Sequence, residues 1–410
     1  MNKLQLTSDW LNDIRSQAKK QFEKTGFPAS NLENWRYTNV SAIAKKEFSI
    51  AKFVEDVDFD AVESGSAFHF VFVDGYFREE LSNLPEKITV CSINDALKNH
   101  ADLLQSKFNQ AIKQPHGFID FNTANFTDGL FVHIPKNAIL EKPLQIIHIA
   151  TQEAILPTRH VVILDENAKA SLIEMFVSPE KKAYLTNSVV EIFVGENADL
   201  TLYKVQQEGE NAYHFGGTYV QQAKHARFKH HNFALGSLLA RSDIISDLET
   251  AAECELNGLY LGSQNQHLDN FTRINHLQPH GISREFYKGI LNDKARGVFQ
   301  GRIVVAENAQ KTDSQMNNRN LLLSNEAEID TKPQLEIYAD DVKCAHGITV
   351  GQLDEKSIFY LQSRGIDEVS AKHILTFAFA NEMVDKITIP SLRDAVFNLL
   401  LTRFPEGAER

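Results

Sequence analysis

Cysteine is scarce. Only Cys91, Cys254 and Cys344 occur in 410 residues, an odd number with no Cys-x-x-Cys pair and no regular spacing. Three scattered thiols fit neither a disulfide framework nor a self-contained zinc ribbon, and a reducing cytoplasm is the expected location. Long apolar runs are missing too, since stretches such as "AFHFVFV" at 67–73 fall far short of the ~20 residues that span a bilayer. The N-terminal "MNKLQLTSDWLNDIRSQAKKQFEKTGFP" has no unbroken apolar segment of the signal-peptide kind. Its acids Asp9, Asp13 and Glu23 argue against a transit peptide. Positive charge is in deficit: 42 Lys and Arg against 54 Asp and Glu give a formal net charge of −12. A field of that sign offers no general attraction to nucleic acid or anionic lipid. GxxxxGK[ST], GxGxxG after a strand, HExxH and GxSxG are all absent, so nucleotide hydrolysis, dinucleotide binding, zincin chemistry and serine hydrolysis lack their usual machinery.

What is present describes a folded chain, 43% hydrophobic and 23% charged, with room for more than one domain. Ser8 or Asp9 can cap a first amphipathic helix whose Trp10, Leu11, Ile14 and Phe22 fall near one stripe. After about residue 60 the period changes. Phe68, Phe70 and Phe72 alternate with His69, Val71 and Val73, and Asp74-Gly75 signals a turn. From about 130 to 350 strand-like runs follow one another, among them "LFVHIP", "LQIIHIAT", "SVVEIFV" and "GVFQGRIVV". "DENAKASLIE" at 165–174 is echoed thirty residues on by "GENADLTLYK" at 195–204, with weaker echoes in "TAAECELNGLY", "NDKARGVFQG" and "SNEAEIDTKP". Stacked coils explain such a period, because one coil cannot bury its apolar face alone. A parallel β-helix and a two-sheet sandwich both remain open on this pattern.

After Gly351 the period is helical. Asp354 can cap "EKSIFYLQSR", which Gly365 ends; Asp367 opens "EVSAKHILTFAFANEMVDKI", and Pro390-Ser391 opens "LRDAVFNLLLTRF". These three helices are rich in Phe359, Tyr360, Leu361, Phe377 and Phe379. Part of that surface is expected to cap the last β coil, whose strand edges would otherwise be unpaired, and the rest is available to a partner.

Two histidine-rich stretches attract attention. "KHARFKHH" sets His225, His230 and His231 beside Lys224, Arg227 and Lys229, and a solvated strand face is expected there. "HLDNFTRINHLQPH" holds His267, Asp269, His276 and His280 without fixed loop geometry, so no metal group is assigned. "QLEIYADDVKCAHG" is more telling. Leu335, Ile337 and Ala339 share one face, whereas Val342, Cys344 and His346 share a parity offset by one, which places a turn or bulge at Asp340-Asp341. Cys344 and His346 then point the same way, about 7 Å apart along the strand. They could serve one cluster or metal together, although two ligands are too few for a closed tetrahedral site. The alternative is a small buried thiol and a histidine that bonds the turn.

"KPQLEIYADDVKCAHGITVGQLDEKSIFYLQSRGI", "AQKTDSQMNNRNLLLS" at 309–324, "KGILNDKARGVFQGRIVV" at 288–305 and "LENWRYT" at 32–38 resemble the SufB/SufD family of iron–sulfur cluster assembly scaffolds, nearer its SufD branch. The resemblance implies a mainly β chain: a right-handed parallel β-helix core (131–350) between an N-terminal helical and mixed α/β region (1–130) and a C-terminal helical domain (351–410). It implies a non-enzymatic subunit that pairs with a SufB-like paralogue through the β-helix and docks a SufC-like ABC-type ATPase on the C-terminal helices. Phe359, Tyr360, Leu361, Arg364, Phe377 and Phe379 are the docking residues expected there. His346, with Cys344 beside it, would contribute to an interface site for iron or a transient iron–sulfur cluster that the SufB-like partner completes. No nucleotide and no flavin motif belongs to this chain, and an isolated subunit could pair with its own copy. The rival classes are a carbohydrate-active β-helix enzyme, whose usual export signal is missing, and a stand-alone metal-binding protein, which three scattered cysteines disfavour.

Overall fold

The N-terminal periodicity closes into α1 (Asp9–Thr25) in the computed structural model, which describes residues 8–55, 66–178 and 182–403. Met1–Thr7 of the amphipathic segment, and Phe404 at the end of the third C-terminal helix, lie outside the described residues. Ser8 is the N-cap by backbone geometry, but its side chain makes no capping bond. Leu11 is fully buried, and Trp10 packs edge-on against Phe108 with ring centroids 5.7 Å apart. A short 3-10 turn at Glu33–Trp35 and the helices α2 (Ser41–Lys45), α3 (Ile93–Asn99), α4 (Ala101–Lys107) and α5 (Gly117–Asn125) complete the helical part of this region. The Asp74-Gly75 signal is a hairpin turn: both residues have positive φ, and β1 (Phe68–Val73) pairs antiparallel with β2 (Tyr76–Phe77).

Two sheets face each other along the rest of the chain. One contains β3 (Thr89–Ser92), β4 (Leu130–Ile134), β6 (Ile155–Leu164), β8 (Leu185–Val194), β10 (Tyr213–Gln222), β12 (Leu239–Leu248), β14 (His267–His276), β16 (Arg296–Val305) and β18 (Glu328–Ile337). The other carries β1 and β2, then β5 (Leu144–Ile149), β7 (Lys169–Val177), β9 (Asp199–Gln207), β11 (Arg227–Ala234), β13 (Glu253–Gly262), β15 (Ile282–Leu291), β17 (Asp313–Leu322) and β19 (Lys343–Gly351). From β4 onward successive strands alternate between the sheets, and from β6 onward each is parallel to the strand two before it, which is a β-solenoid of about eight coils. One interior column reads Ala170, Leu200, Phe228, Cys254, Ser283, Ser314, Cys344 up seven consecutive rungs. The sandwich alternative fails on this topology, since a sandwich is built from antiparallel sheets.

The repeat has a backbone cause. Asn137, Asn167, Asn197, His225, Ala251, His280 and Lys311 all adopt positive φ at the corner that enters the second sheet. The N–H of each donates to a carbonyl of the next coil, as Asn167 does to Glu196 and Asn197 to Lys224. Short Asn tolerates this left-handed conformation, and Ala168, Ala198, Ala226 and Ala252 fill the tight space behind it. "NDKARGVFQG" and "SNEAEIDTKP" belong to the opposite corner, before β16 and β18, so the sequence echoes mix two series.

Three cores result. Leu172, Leu202, Leu256, Phe299 and their neighbours fill the space between the sheets. Trp35, Phe118, Phe131 and Phe215 seal the helical region onto the outer face of the first sheet. On the outer face of the second sheet, Tyr203, Phe233, Leu259 and Ile290 are covered by Ala380, Met383, Leu392 and Val396 of the C-terminal helices. These are α6 (Glu355–Ser363), α7 (Glu368–Val384) and α8 (Pro390–Arg403). Asp354 caps α6 by accepting from the amides of Lys356 and Ser357, Asp367 caps α7 through Ser370, and Gly365 has positive φ between them. The helices therefore lie on the solenoid's flank and do not cap its last coil, contrary to expectation. The flank carried the larger apolar surface needing cover. β18 and β19 each keep a neighbour on one side only. Among the described residues no helix is long and apolar enough to cross a membrane.

Candidate functional site

Tyr338–Val342 is the corner between β18 and β19, so the parity slip at Asp340-Asp341 is a change of sheet. The Lys311 amide donates to the Asp341 carbonyl at 2.7 Å and its ammonium pairs with the Asp341 carboxylate, which fixes the corner on the coil beneath. On β19, Cys344 registers with Ser314 and His346 with Met316, both inward-facing and buried on β17. The shared parity thus points both side chains along the solenoid's interior column. Cys344 is half-buried and packs against the interior core, whereas His346 is exposed because no coil lies above it. Burial raises the Cys344 thiol pKa, the Ser314 backbone amide partly opposes this, and the Asp313 carboxylate adds to it. The thiol is therefore protonated at neutral pH. Around the pair, Ile337, Tyr338 and Val350 stand 39%, 66% and 47% exposed at the open end.

The six expected docking residues do not form one face. Phe359 and Tyr360 are 71% and 57% exposed on α6, and the exposed Arg364 guanidinium lies 5.3 Å from the Tyr360 ring centroid. Leu361 is half-buried. Phe377 packs edge-to-face on Phe397 at 5.0 Å, and Phe379 lies under the Lys288 ammonium at 4.1 Å, both half-buried within the chain's own packing. Val369, Ile374 and Leu401 are further exposed apolar residues on α7 and α8.

The first histidine-rich stretch differs from expectation. His230 and His231 are buried, not solvated: His230 faces the interior of the solenoid, and His231 stacks on Tyr203 at 4.8 Å beneath the helical flank. Among the described residues, those of 267–280 join no close group of three metal-capable side chains. His267 and Asp269 both bond Thr38, at 2.9 and 2.6 Å, and His276 bonds Ser283 at 2.9 Å. Thr38 belongs to "LENWRYT", whose Trp35 lies 3.8 Å beneath the Arg241 guanidinium, so this motif fastens the N-terminal region to the first sheet. Sequence reasoning missed one cluster altogether: His148, His160 and Glu174, the only group of three close metal-capable side chains among the described residues. They sit on three different strands, so no local spacing could announce them.

The site is thus the open end of a parallel β-solenoid with flanking helices, bearing a pair of soft side chains. The chain belongs to the SufB/SufD family. The model of the SUF system FeS cluster assembly SufBD core domain matches residues 147–379, and that of the SufBD protein N-terminal region matches 4–146. The iron–sulfur cluster assembly protein SufD of Escherichia coli is 34% identical over 401 residues, covering 96% of this chain and 93% of that protein. An iron–sulfur cluster assembly SufBD family protein of Synechocystis is 32% identical, covering 96% of this chain and 88% of its own. SufD of Bacillus subtilis is 25% identical over 95% of this chain and 93% of its own.

Proposed function

We propose that this chain is a non-enzymatic scaffold subunit for iron–sulfur cluster assembly, and that the open last coil is its working end. The single observation that carries this reading is the exposed edge of β18 and β19 with Cys344 and His346 on it. An unpaired edge of this length is a template for another strand. The β-helix of a SufB-like paralogue would continue the stack and bring the ligands that this chain lacks. In isolation a second copy of the chain could take that place. Thiolate and imidazole suit iron and sulfide, and the cluster is cargo completed between subunits. The exposed Phe359, Tyr360 and Arg364 on α6, with Val369 and Ile374 on α7, support docking of a SufC-like ABC-type ATPase. A cytoplasmic location fits the reduced thiols. The test is co-purification of the tagged full chain with both partners, followed by iron and sulfide analysis of the complex. A stable ternary complex that holds iron and sulfide in near-equal amounts is expected. A chain that binds neither partner overturns the reading.

A further inference from the structure

One donor atom from each of His148, His160 and Glu174 falls within 4.8 Å of the others, and all three side chains are buried. Two imidazoles and a carboxylate at that spacing match a metal site by residue type. The hydrogen bonds argue otherwise. The Leu130 amide donates to His160 Nδ1 at 2.9 Å, so that nitrogen carries no proton. Burial pushes the His160 pKa down to about 3, which keeps the ring neutral with its proton on Nε2. A metal-bound imidazole needs one bare ligating nitrogen and an N–H donated from the other. Here the inner nitrogen holds the proton. Glu174 is also engaged: Ser188 Oγ donates to its Oε1 at 3.1 Å, and His148 Nε2 lies 3.6 Å away. Burial opposes its ionisation, yet His148 and Lys204 hold its pKa down to about 2.

A cavity of about 10 Å³ adjoins this cluster at His148, and a second of the same volume lies beside Lys204 on the next coil. The first is bordered by His148, Thr158, Thr186 and Glu208, and the second by Lys204, Gln206, His214 and Asn232. His148 Nε2 and Thr158 Oγ1 at the first, and His214 Nε2 and Asn232 Oδ1 at the second, are buried without a hydrogen-bond partner within the chain. An unpartnered buried polar atom keeps its full desolvation cost, so leaving four in dry space is a heavy penalty. Each cavity matches the space one water needs, and each offers the several polar partners that hold one. Between the cavities, Glu208 Oε2 lies 2.7 Å from His214 Nδ1.

We propose that the solenoid core binds two ordered water molecules, one bridging His148, Thr158 and Glu208, the other bridging Lys204, His214 and Asn232, and that the His148–His160–Glu174 cluster takes water beside it rather than a metal ion. The two waters would join the Glu208–His214 pair, whose Oε2 and Nδ1 lie 2.7 Å apart, in one polar chain. Asn232 extends it to Asn270, whose Oδ1 accepts from Asn232 Nδ2 at 3.0 Å. The chain surrounds the buried Lys204 ammonium with dipoles and carboxylates. This inference does not depend on the proposed scaffold role. The experiment is a crystal structure of the full chain at a resolution that shows ordered solvent, from crystals incubated with zinc chloride and measured at the zinc absorption edge. One solvent peak in each cavity and no anomalous peak among the three side chains are the expected result. An anomalous peak between His148, His160 and Glu174, or an empty cavity at either place, overturns it. In Thr158→Val crystals the first water should be lost or displaced and the second retained; an unmoved first peak contradicts the assigned bridge.

Discussion

Glu191→Ala tests what fastens the N-terminal region to the solenoid. Glu191 projects from the outer face of β8, and its Oε1 accepts from the Asn109 amide and from Arg159 Nη2, each at 2.7 Å. Its Oε2 accepts from the Ala111 amide at 2.9 Å. The side chains of Arg159 and Glu191 are both 0% exposed. Truncation leaves a buried guanidinium without its counter-charge and two backbone amides without acceptors. Breaking such a buried pair from one side costs about 3–5 kcal/mol. Both tryptophans report on the region at risk: Trp10 packs on Phe108, and Trp35 stacks on Phe118 with centroids 5.5 Å apart. Urea titration followed by tryptophan fluorescence should show the variant's transition moved to markedly lower urea, while the strand signal in far-ultraviolet circular dichroism persists to higher urea. The paired change Arg159→Met with Glu191→Leu should recover much of the loss, because it removes both charges. A loss for Glu191→Ala no larger than that of a surface ion pair, under about 1 kcal/mol, refutes the reasoning.

Three further outcomes can be checked. Burial raises the Glu285 carboxyl to about 7 with only the Thr272 hydroxyl opposing it, above the usual ~4.3 of an unfolded chain. The folded state therefore keeps a proton that the unfolded state releases. Stability from this group is complete below the unfolded pKa and is lost as pH rises through about 7, so Glu285→Gln should raise the thermal midpoint more at alkaline than at acidic pH; an equal rise at both rejects the assignment. Tyr360→Glu on the exposed face of α6 should abolish ATPase binding at unchanged thermal stability, and retained binding in a pull-down moves the docking surface elsewhere. The purified chain alone should not hydrolyse ATP, since it has no phosphate-cradling loop; activity that follows this chain through successive columns contradicts that.

The helical ends were legible in the sequence because their signals are local. Asp354, Asp367, Gly365 and Pro390 each act within one turn, and each occupies the cap, C-terminal or first-turn position expected of it. Coils with aliphatic interiors were legible too, as "SVVEIFV" in β8 and "GVFQGRIVV" in β16 illustrate. β10, β11 and β14 were not, because their inward rows carry His214, Thr218, His230, Asn232, Asn270 and Thr272, and buried polar side chains imitate a solvated face. Their strand neighbours lie one coil away, some 30 residues along the chain, and no window on the sequence spans that distance. The same limit hid His148, His160 and Glu174. At Cys344 and His346 the parity was readable, but the open end was not. Whether a terminal coil is capped depends on where the following helices find their largest apolar surface, and here that surface was the flank built by Tyr203, Phe233, Leu259 and Ile290. Removing everything after Gly351 would accordingly expose that flank as well as delete the proposed docking surface, so point substitutions on α6 are the cleaner probe.

The central claim is that the open end presents half of a cluster site, and His346→Ala in the complex with both partners tests it most directly. His346 is exposed at a strand edge, so its removal should change the thermal midpoint little, by an amount equivalent to under about 1 kcal/mol. Cluster yield, measured as iron and sulfide per complex on the same preparation, should fall sharply while pairing with the SufB-like partner is unchanged. Cys344→Ala should have an equal or milder effect. A His346→Ala complex that assembles clusters at the wild-type level, or loses yield only in proportion to lost folding or lost pairing, would make the pair structural and contradict the account.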